Sequence, residues 1–362
     1  MNKSLVKLST VGLVIAILLG ACQAPAPAAQ PPAAPPTSAA PAAAPAKQIT
    51  IGYLASELDI FTTSMMDSVT QAAQAKGWKV IQQKAGSDAE KQTENVDYLI
   101  SLGVNAIVVN PVDSKAFCVG ANKAKAAGIG VYAVDRTVDG CKINMTAQSD
   151  NYQGGVLAGE AIAKYLKNKT GGEPKGNVLE NQGDMGLNNA QARSKGFHDV
   201  VDKYPGIKVT SKSTEWKPEK YYQNTLDVAG SQQIDAIFSS SDSVGTTGIL
   251  QALDQLGKKF PNTDPKHIFY VAIDASPIGL KAIRDGFQDE AYNQPNTDFG
   301  VITNFMEMEL QGKKIPLGTY TVQGATWSPA QIEESDVGLM MLMKMNVVTK
   351  ANVDDKSLWG NH

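Results

Sequence analysis

Only three cysteines and three histidines occur among the 362 residues, which removes most routes to metal or nucleophilic chemistry. His198, His267 and His362 form no ligand or triad motif with their neighbours. Cys118 and Cys141 are not at a metal-ligand spacing either. In an exported chain they could form a single disulfide, provided that their α-carbons come within reach. Despite 32 glycines there is no phosphate-cradling glycine loop. A basic surplus is also lacking: 36 acidic residues oppose 33 basic ones, and Lys3, Lys7 and Lys47 precede every acidic residue, so the remainder is more acidic still. That balance argues against a nucleic-acid partner. The apolar run "VGLVIAILL" is shorter than a membrane-spanning helix requires.

This run follows Lys3 and Lys7 and leads into "LGAC", with Gly20 and Ala21 just before Cys22. Residues 1–21 therefore read as a secretory signal, and its end resembles the cleavage pattern of bacterial lipoproteins, which implies diacylation of Cys22. The alternative is an ordinary signal with an incidental cysteine. Residues 22–47 carry eight of the 18 prolines, twelve alanines and no charge before Lys47. Such a segment has nothing to bury and is expected to form an extended tether that holds a folded domain off a membrane surface.

From Ile49 onward short apolar runs alternate with amphipathic stretches. "ITIGYL", "WKVIQQ", "NAIVVN" and "GIGVYAVD" are separated by helical patterns near residues 62–75, 90–102 and 114–127. Gly77, Gly103 and Gly128 stand where those helices should stop. The pattern restarts with "GNVLEN", "IKVTSK", "DAIFSS" and "IFYVAID", and helices near 153–166, 188–204, 219–230 and 244–256. Strands spaced by helices imply parallel sheets with right-handed crossovers. "NAIVVNPVDSKA" echoes "DAIFSSSDSVGT", and "VYAVD" echoes "FYVAID". The fold class is therefore α/β with parallel sheets, and two similar lobes are the simplest account, the alternative being chance similarity among apolar strands. In such sheets ligands bind beyond the carboxyl ends of the strands, where Asp59, Asn110, Asp135, Arg136, Ser241 and Asp274 all fall.

The stretches "NPVDSKA", "AVDR", "SDNYQGGVLAGEAIAK", "ARSKGF", "SSSDS" and "AIDASPIGL", in this order, resemble the class I periplasmic sugar-binding proteins of the ribose, galactose and xylose group, receptors of ABC importers. The resemblance covers nearly all of residues 48–325. It implies two Rossmann-like lobes with parallel sheets joined by three hinge strands: an N-terminal lobe of 48–149 with 295–321, and a C-terminal lobe of 150–294 with 322–362. Crossings are expected near Ser149 and Asp150, near Gln294 and Pro295, and between Thr321 and Gln323. Ligand contacts carry over to Asp59, Phe61, Asn110, Asp135, Arg136, Arg193, Trp216, Ser241, Asp274 and Gln294. The implied protein is a monomer without metal or cofactor, whose partners are a monosaccharide and an ABC permease. Thr62 stands where ribose binders carry an aromatic, Ala55 where they have serine, and Asp59 replaces their amide. These departures favour a hexose or related polyol over a pentose.

The residue types suit that chemistry. A buried hydroxyl left unpaired costs about 1–3 kcal/mol, so a dry sugar site needs a partner for nearly every hydroxyl. Carboxylates accept from hydroxyls, guanidinium groups donate through a planar fork, and Phe61 and Trp216 offer flat faces to a sugar ring. Each residue also has a plainer reading. Asp135 and Arg136 could be a structural salt bridge, Asn110 could start a turn before Pro111, and Asp242 could cap the following helix. Arg193 could be solvated and Trp216 could belong to the core. Two functional rivals remain at this level. One is a glycosidase built on Asp59, Asp135 and Asp274, although no glutamate in an evident apolar pocket is available as the acid. The other is a receptor that presents its ligand to a membrane sensor.

Overall fold

The structure is a computed structural model that describes residues 48–362. The expected signal peptide and tether, and with them Cys22, lie outside the described residues. The first series forms β1 (Thr50–Ala55), α1 (Ile60–Ala75), β2 (Lys79–Lys84), α2 (Ala89–Ser101), β3 (Ala106–Val109), α3 (Cys118–Ala126), β4 (Gly130–Val134) and β5 (Met145–Ser149). These strands pair in parallel in the order β2-β1-β3-β4-β5. The second series forms α4 (Asn151–Thr170), β6 (Gly176–Gln182), α5 (Asn188–Val201), β7 (Ile207–Ser213), α6 (Pro218–Ser231), β8 (Ala236–Ser239), α7 (Asp242–Gln255), β9 (Phe269–Asp274), α8 (Pro277–Asp285) and β10 (Glu290–Asn293). Its strands pair in parallel in the order β7-β6-β8-β9-β10. Both lobes thus repeat one topology, and the sequence echoes fall on equivalent strands: β3 matches β8, and β4 matches β9.

Helices cover both faces of each sheet, which is why the central strands read as unbroken apolar runs. All four residues of β3 and of β8 are buried. On β1, Ile51, Tyr53 and Ala55 enter one core while Leu54 enters the other, as the alternation of a strand requires. The helices stop at Gly77, Gly103 and Gly128, with φ of 75°, 65° and 74°, a left-handed conformation that glycine adopts without strain. α3 begins later than the sequence pattern suggests. The Asp113 carboxylate accepts from the Lys115 and Ala116 amides and holds a turn there instead. Cys118 and Cys141 are disulfide-bonded, with α-carbons 5.8 Å apart.

After β10 the chain passes to the first lobe through a short 3-10 segment (Asn296–Val301) and α9 (Ile302–Leu310). β11 (Gly318–Tyr320), β12 (Ala330–Ser335) and β13 (Gly338–Met343) then extend the first sheet, with β13 parallel to β5. β14 (Asn346–Val348) pairs with β10 in the second sheet. The first two crossings fall at the expected places. The third does not: the chain changes sheet at Lys344 and Met345, not between Thr321 and Gln323. Residues 322–343 therefore belong with the N-terminal lobe. The physical reason is the hairpin of β12 and β13, whose strands bury Ala330, Ile332, Met341 and Met343 in the first-lobe core.

Candidate ligand-binding cleft

The carboxyl ends of the two sheets supply the walls of one cleft. From the first lobe come the β1–α1 connection and the residues after β4. From the second come the starts of α5 and α7, the end of β9, and the segment after β10. The space between these walls, open solvent included, is about 340 Å³. Of the residues expected at the site, Asp59, Phe61, Asp135, Arg136, Arg193, Trp216, Ser241, Asp274 and Gln294 line it. Asn110, also expected there, stands behind Asp135. It is fully buried and donates from Nδ2 to Asp135 Oδ2 at 3.2 Å.

The two lobes place an aspartate at equivalent points. Asp135 follows β4 and Asp274 ends β9, and both have left-handed backbones, with φ of 65° and 113°. Such strain costs about 1–3 kcal/mol per residue and concentrates at functional sites. Trp216, with φ of 56°, shares it. The tryptophan ring lies so close to Gly183 that a Cβ there would be 2.0 Å from it.

Electrostatics are concentrated here. Asp135, Arg193 and Asp274 are each 2% exposed. Burial pushes the Asp135 carboxyl above its ordinary range, opposed by the Arg136 and Arg193 guanidinium groups. Burial lowers Arg193, opposed by Asp274 and Asp135. Arg193 donates from Nε to Asn151 Oδ1 at 2.8 Å and from Nη1 to the Ser240 carbonyl at 2.6 Å, with its guanidinium 5.7 Å from the Trp216 ring centre. Asp274 accepts from the Ser241 and Ser243 hydroxyls, each at 2.6 Å, and from Gln294 Nε2 at 2.7 Å. Arg136 Nε lies 3.5 Å from Asp135 Oδ2, and Nη1 donates to the Pro111 carbonyl at 3.0 Å.

The salt-bridge reading of Asp135 and Arg136 is therefore correct as far as it goes, yet incomplete. Among the described residues, the buried atoms Asp135 Oδ1, Arg136 Nε, Trp216 Nε1 and Gln294 Oε1 find no hydrogen-bond partner. All four side chains line the cleft, two from each lobe. Asp59 both lines the cleft and caps α1, accepting from the Thr62 amide at 2.7 Å and its hydroxyl at 2.9 Å. Asp242 is not the cap expected. Ser241 occupies that position, and Asp242 instead accepts from the amides of Ala275 and Ser276 at 2.9 and 3.0 Å, fixing the turn after β9.

Glu57, Thr62, Asn189, Ser243 and Val244 also line the cleft but were not expected as contacts. Asn189 and Ser243 sit in the first turns of α5 and α7. Helix starts beyond strand ends were a signal that could have found them. Glu57, in an irregular connection, carried none. The lobes also meet directly: Asn188 Oδ1 accepts from the Thr137 amide at 3.2 Å, and its Nδ2 donates to Gln148 Oε1 at 3.3 Å.

The periplasmic binding protein domain model matches residues 51–314. The chain is 30% identical over 274 residues to the ribose import binding protein RbsB of Bacillus subtilis (strain 168), covering 74% of this chain and 84% of that protein. It is 28% identical over 307 residues to a xylitol-binding protein of Mycolicibacterium smegmatis, covering 84% and 78%. Among solved structures, the fructose-binding periplasmic domain of a hybrid two-component system is similar with a TM-score of 0.71 and 25% identity, over 84% of this chain and 92% of that one. These relatives are named for binding, not for catalysis. The chain belongs to the periplasmic binding protein domain family.

Proposed function

We propose that this protein is an extracytoplasmic substrate-binding protein that captures one monosaccharide or related polyol between its lobes and delivers it to an ABC permease. One observation carries the reading: unpartnered, buried donors and acceptors from both lobes meet on a single small cleft. A polyhydroxylated guest satisfies groups on both sides at once, which favours the closed arrangement by the difference in affinity between open and closed forms. The three crossings supply the hinge. The named ligands of the relatives, ribose and xylitol, are of this class.

Within that class the reading favours a hexose or related polyol, because Thr62 stands on the wall where ribose binders carry an aromatic side chain. Cys22 carries the lipid in this account, and residues 22–47 hold the lobes off the membrane. The relative within a hybrid two-component system supports a second reading, presentation of the same kind of ligand to a sensor. A thermal-shift screen of pentoses, hexoses, inositols and linear polyols, followed by calorimetry, tests the proposal. A saturable increase in melting temperature with one of them is expected. No shift with any sugar or polyol, or turnover of an aryl glycoside, sinks it.

A further inference from the structure

The last residues of the chain are anchored on the second lobe yet touch the first. Arg284 of α8 donates from Nε to Asp354 at 2.8 Å, and from Nη2 to the Val353 carbonyl at 3.1 Å and to Asn361 Oδ1 at 2.6 Å. Val353 and Leu358 are buried with Leu280 and Ile283 of α8. Gly360 lies so near the turn after β9 that a Cβ would sit 2.4 Å from the Ala275 carbonyl oxygen.

From this anchor Trp359, 3% exposed, makes two contacts. Its indole N–H donates to the Asp274 carbonyl at 2.6 Å. Its ring meets Phe61 edge-on, with centroids 5.8 Å apart and planes at 84°. Asp274 and Phe61 are opposing walls of the cleft. The first contact steadies a backbone that is left-handed at two successive residues, Asp274 and Ala275. The second joins the lobes and can exist only while they are together.

We propose that Trp359 is a positioning residue for ligand capture, holding Asp274 in its strained conformation and locking Phe61 against the second lobe when the cleft closes. This rests on the sugar-binding reading of the cleft. Opening separates Trp359 from Phe61 but not from Asp274, which shares its lobe. The ring contact therefore acts on the closed form, and its loss accelerates release more than it slows capture.

The test uses D-ribose, xylitol, D-fructose and myo-inositol with the full folded chain and the variants Trp359→Ala, Trp359→Phe and Arg284→Ala. Affinity, stopped-flow association and dissociation, and ligand-free melting are measured. For a compound that wild type binds, Trp359→Ala is expected to bind at least tenfold more weakly, mostly through faster dissociation. Trp359→Phe, which keeps a ring but not the N–H, is expected to recover part of the loss, and Arg284→Ala to show a milder form of it. Should Trp359→Ala fail to fold, the other two variants are judged on the same dissociation criterion. Variants that bind within twofold of wild type, or that weaken only through slower association, overturn the proposal alone. Wild-type protein that binds none of the four, nor any pentose, hexose, inositol or linear polyol of the thermal-shift screen, overturns the sugar reading, and this proposal with it.

Discussion

Exchanging Asp135 for asparagine removes one negative charge from the cleft and leaves nearly everything else in place. The residue has a φ of 65°. Asparagine enters that region about as readily as aspartate, whereas alanine there costs about 1–2 kcal/mol and would mix backbone strain with lost binding. The side-chain oxygen facing Asn110 Nδ2 at 3.2 Å is retained. What changes is the group offered to a ligand hydroxyl, a charged acceptor at Oδ1 becoming a neutral amide donor. A hydrogen bond to a charged group contributes about 1.5–3 kcal/mol and one between neutral groups about 0.5–1.5. The difference, about 1–1.5 kcal/mol, corresponds to roughly tenfold weaker binding. In the ligand-free protein the sign reverses. Burial raises the Asp135 carboxyl, so its contribution to folding is fully present below the ordinary carboxylate range and is lost as pH rises through the raised value. At neutral pH the variant should therefore melt no earlier than wild type. Calorimetry with the sugar selected by screening, paired with melting in its absence, measures both. Unchanged affinity, or a parallel fall in affinity and ligand-free melting, would refute the reasoning and return Asp135 to a structural role.

Gly183→Ala places a methyl group 2.0 Å from the Trp216 ring, so the ring must leave the wall; affinity measured by calorimetry should fall about as far as in Trp216→Ala. Asn188→Ala removes the two bonds to Thr137 and Gln148 that join the lobes; at about 1 kcal/mol for the pair, release followed by stopped flow should quicken severalfold. Replacing Cys118 and Cys141 together by serine frees a loop with a sequence separation of 23 residues, and chemical denaturation should show about 3 kcal/mol less stability on the loop-entropy model. Glu180 raises His198 to about 9 with help from Asp202. Its stabilising contribution is full below about pH 6.5 and disappears as pH rises through 9, so His198→Gln should flatten the alkaline decline of the melting temperature.

The parallel lobes were legible because their strands are buried on both faces and their helices end on glycine. The repeated strand order was legible because β3 and β8, and β4 and β9, carry similar residues before similar polar ends. The final sheet strands were not. β12 and β13 follow no crossover helix, and their side in the fold is set by packing against β5 and the first-lobe core, a long-range fact with no local signature. The same limit applies within the site. Asp135, Arg136, Asp274 and Ser241 could be placed because strand ends project them to the cleft. Asn110 also ends a strand, but its amide is taken up by Asp135. Trp359 depends on the chain's end folding back over β9 and across to Phe61, contacts 85 residues away in sequence for the Asp274 carbonyl.

The most direct measurement is a crystal structure with the sugar or polyol that gives the largest thermal shift. The account predicts its hydroxyls within hydrogen-bonding distance of Asp135 and Arg136 on one side and of Arg193, Asp274 or Gln294 on the other, with a ring face on Phe61 or Trp216. A compound held by one lobe alone, or bound elsewhere while these groups pair among themselves, would contradict it.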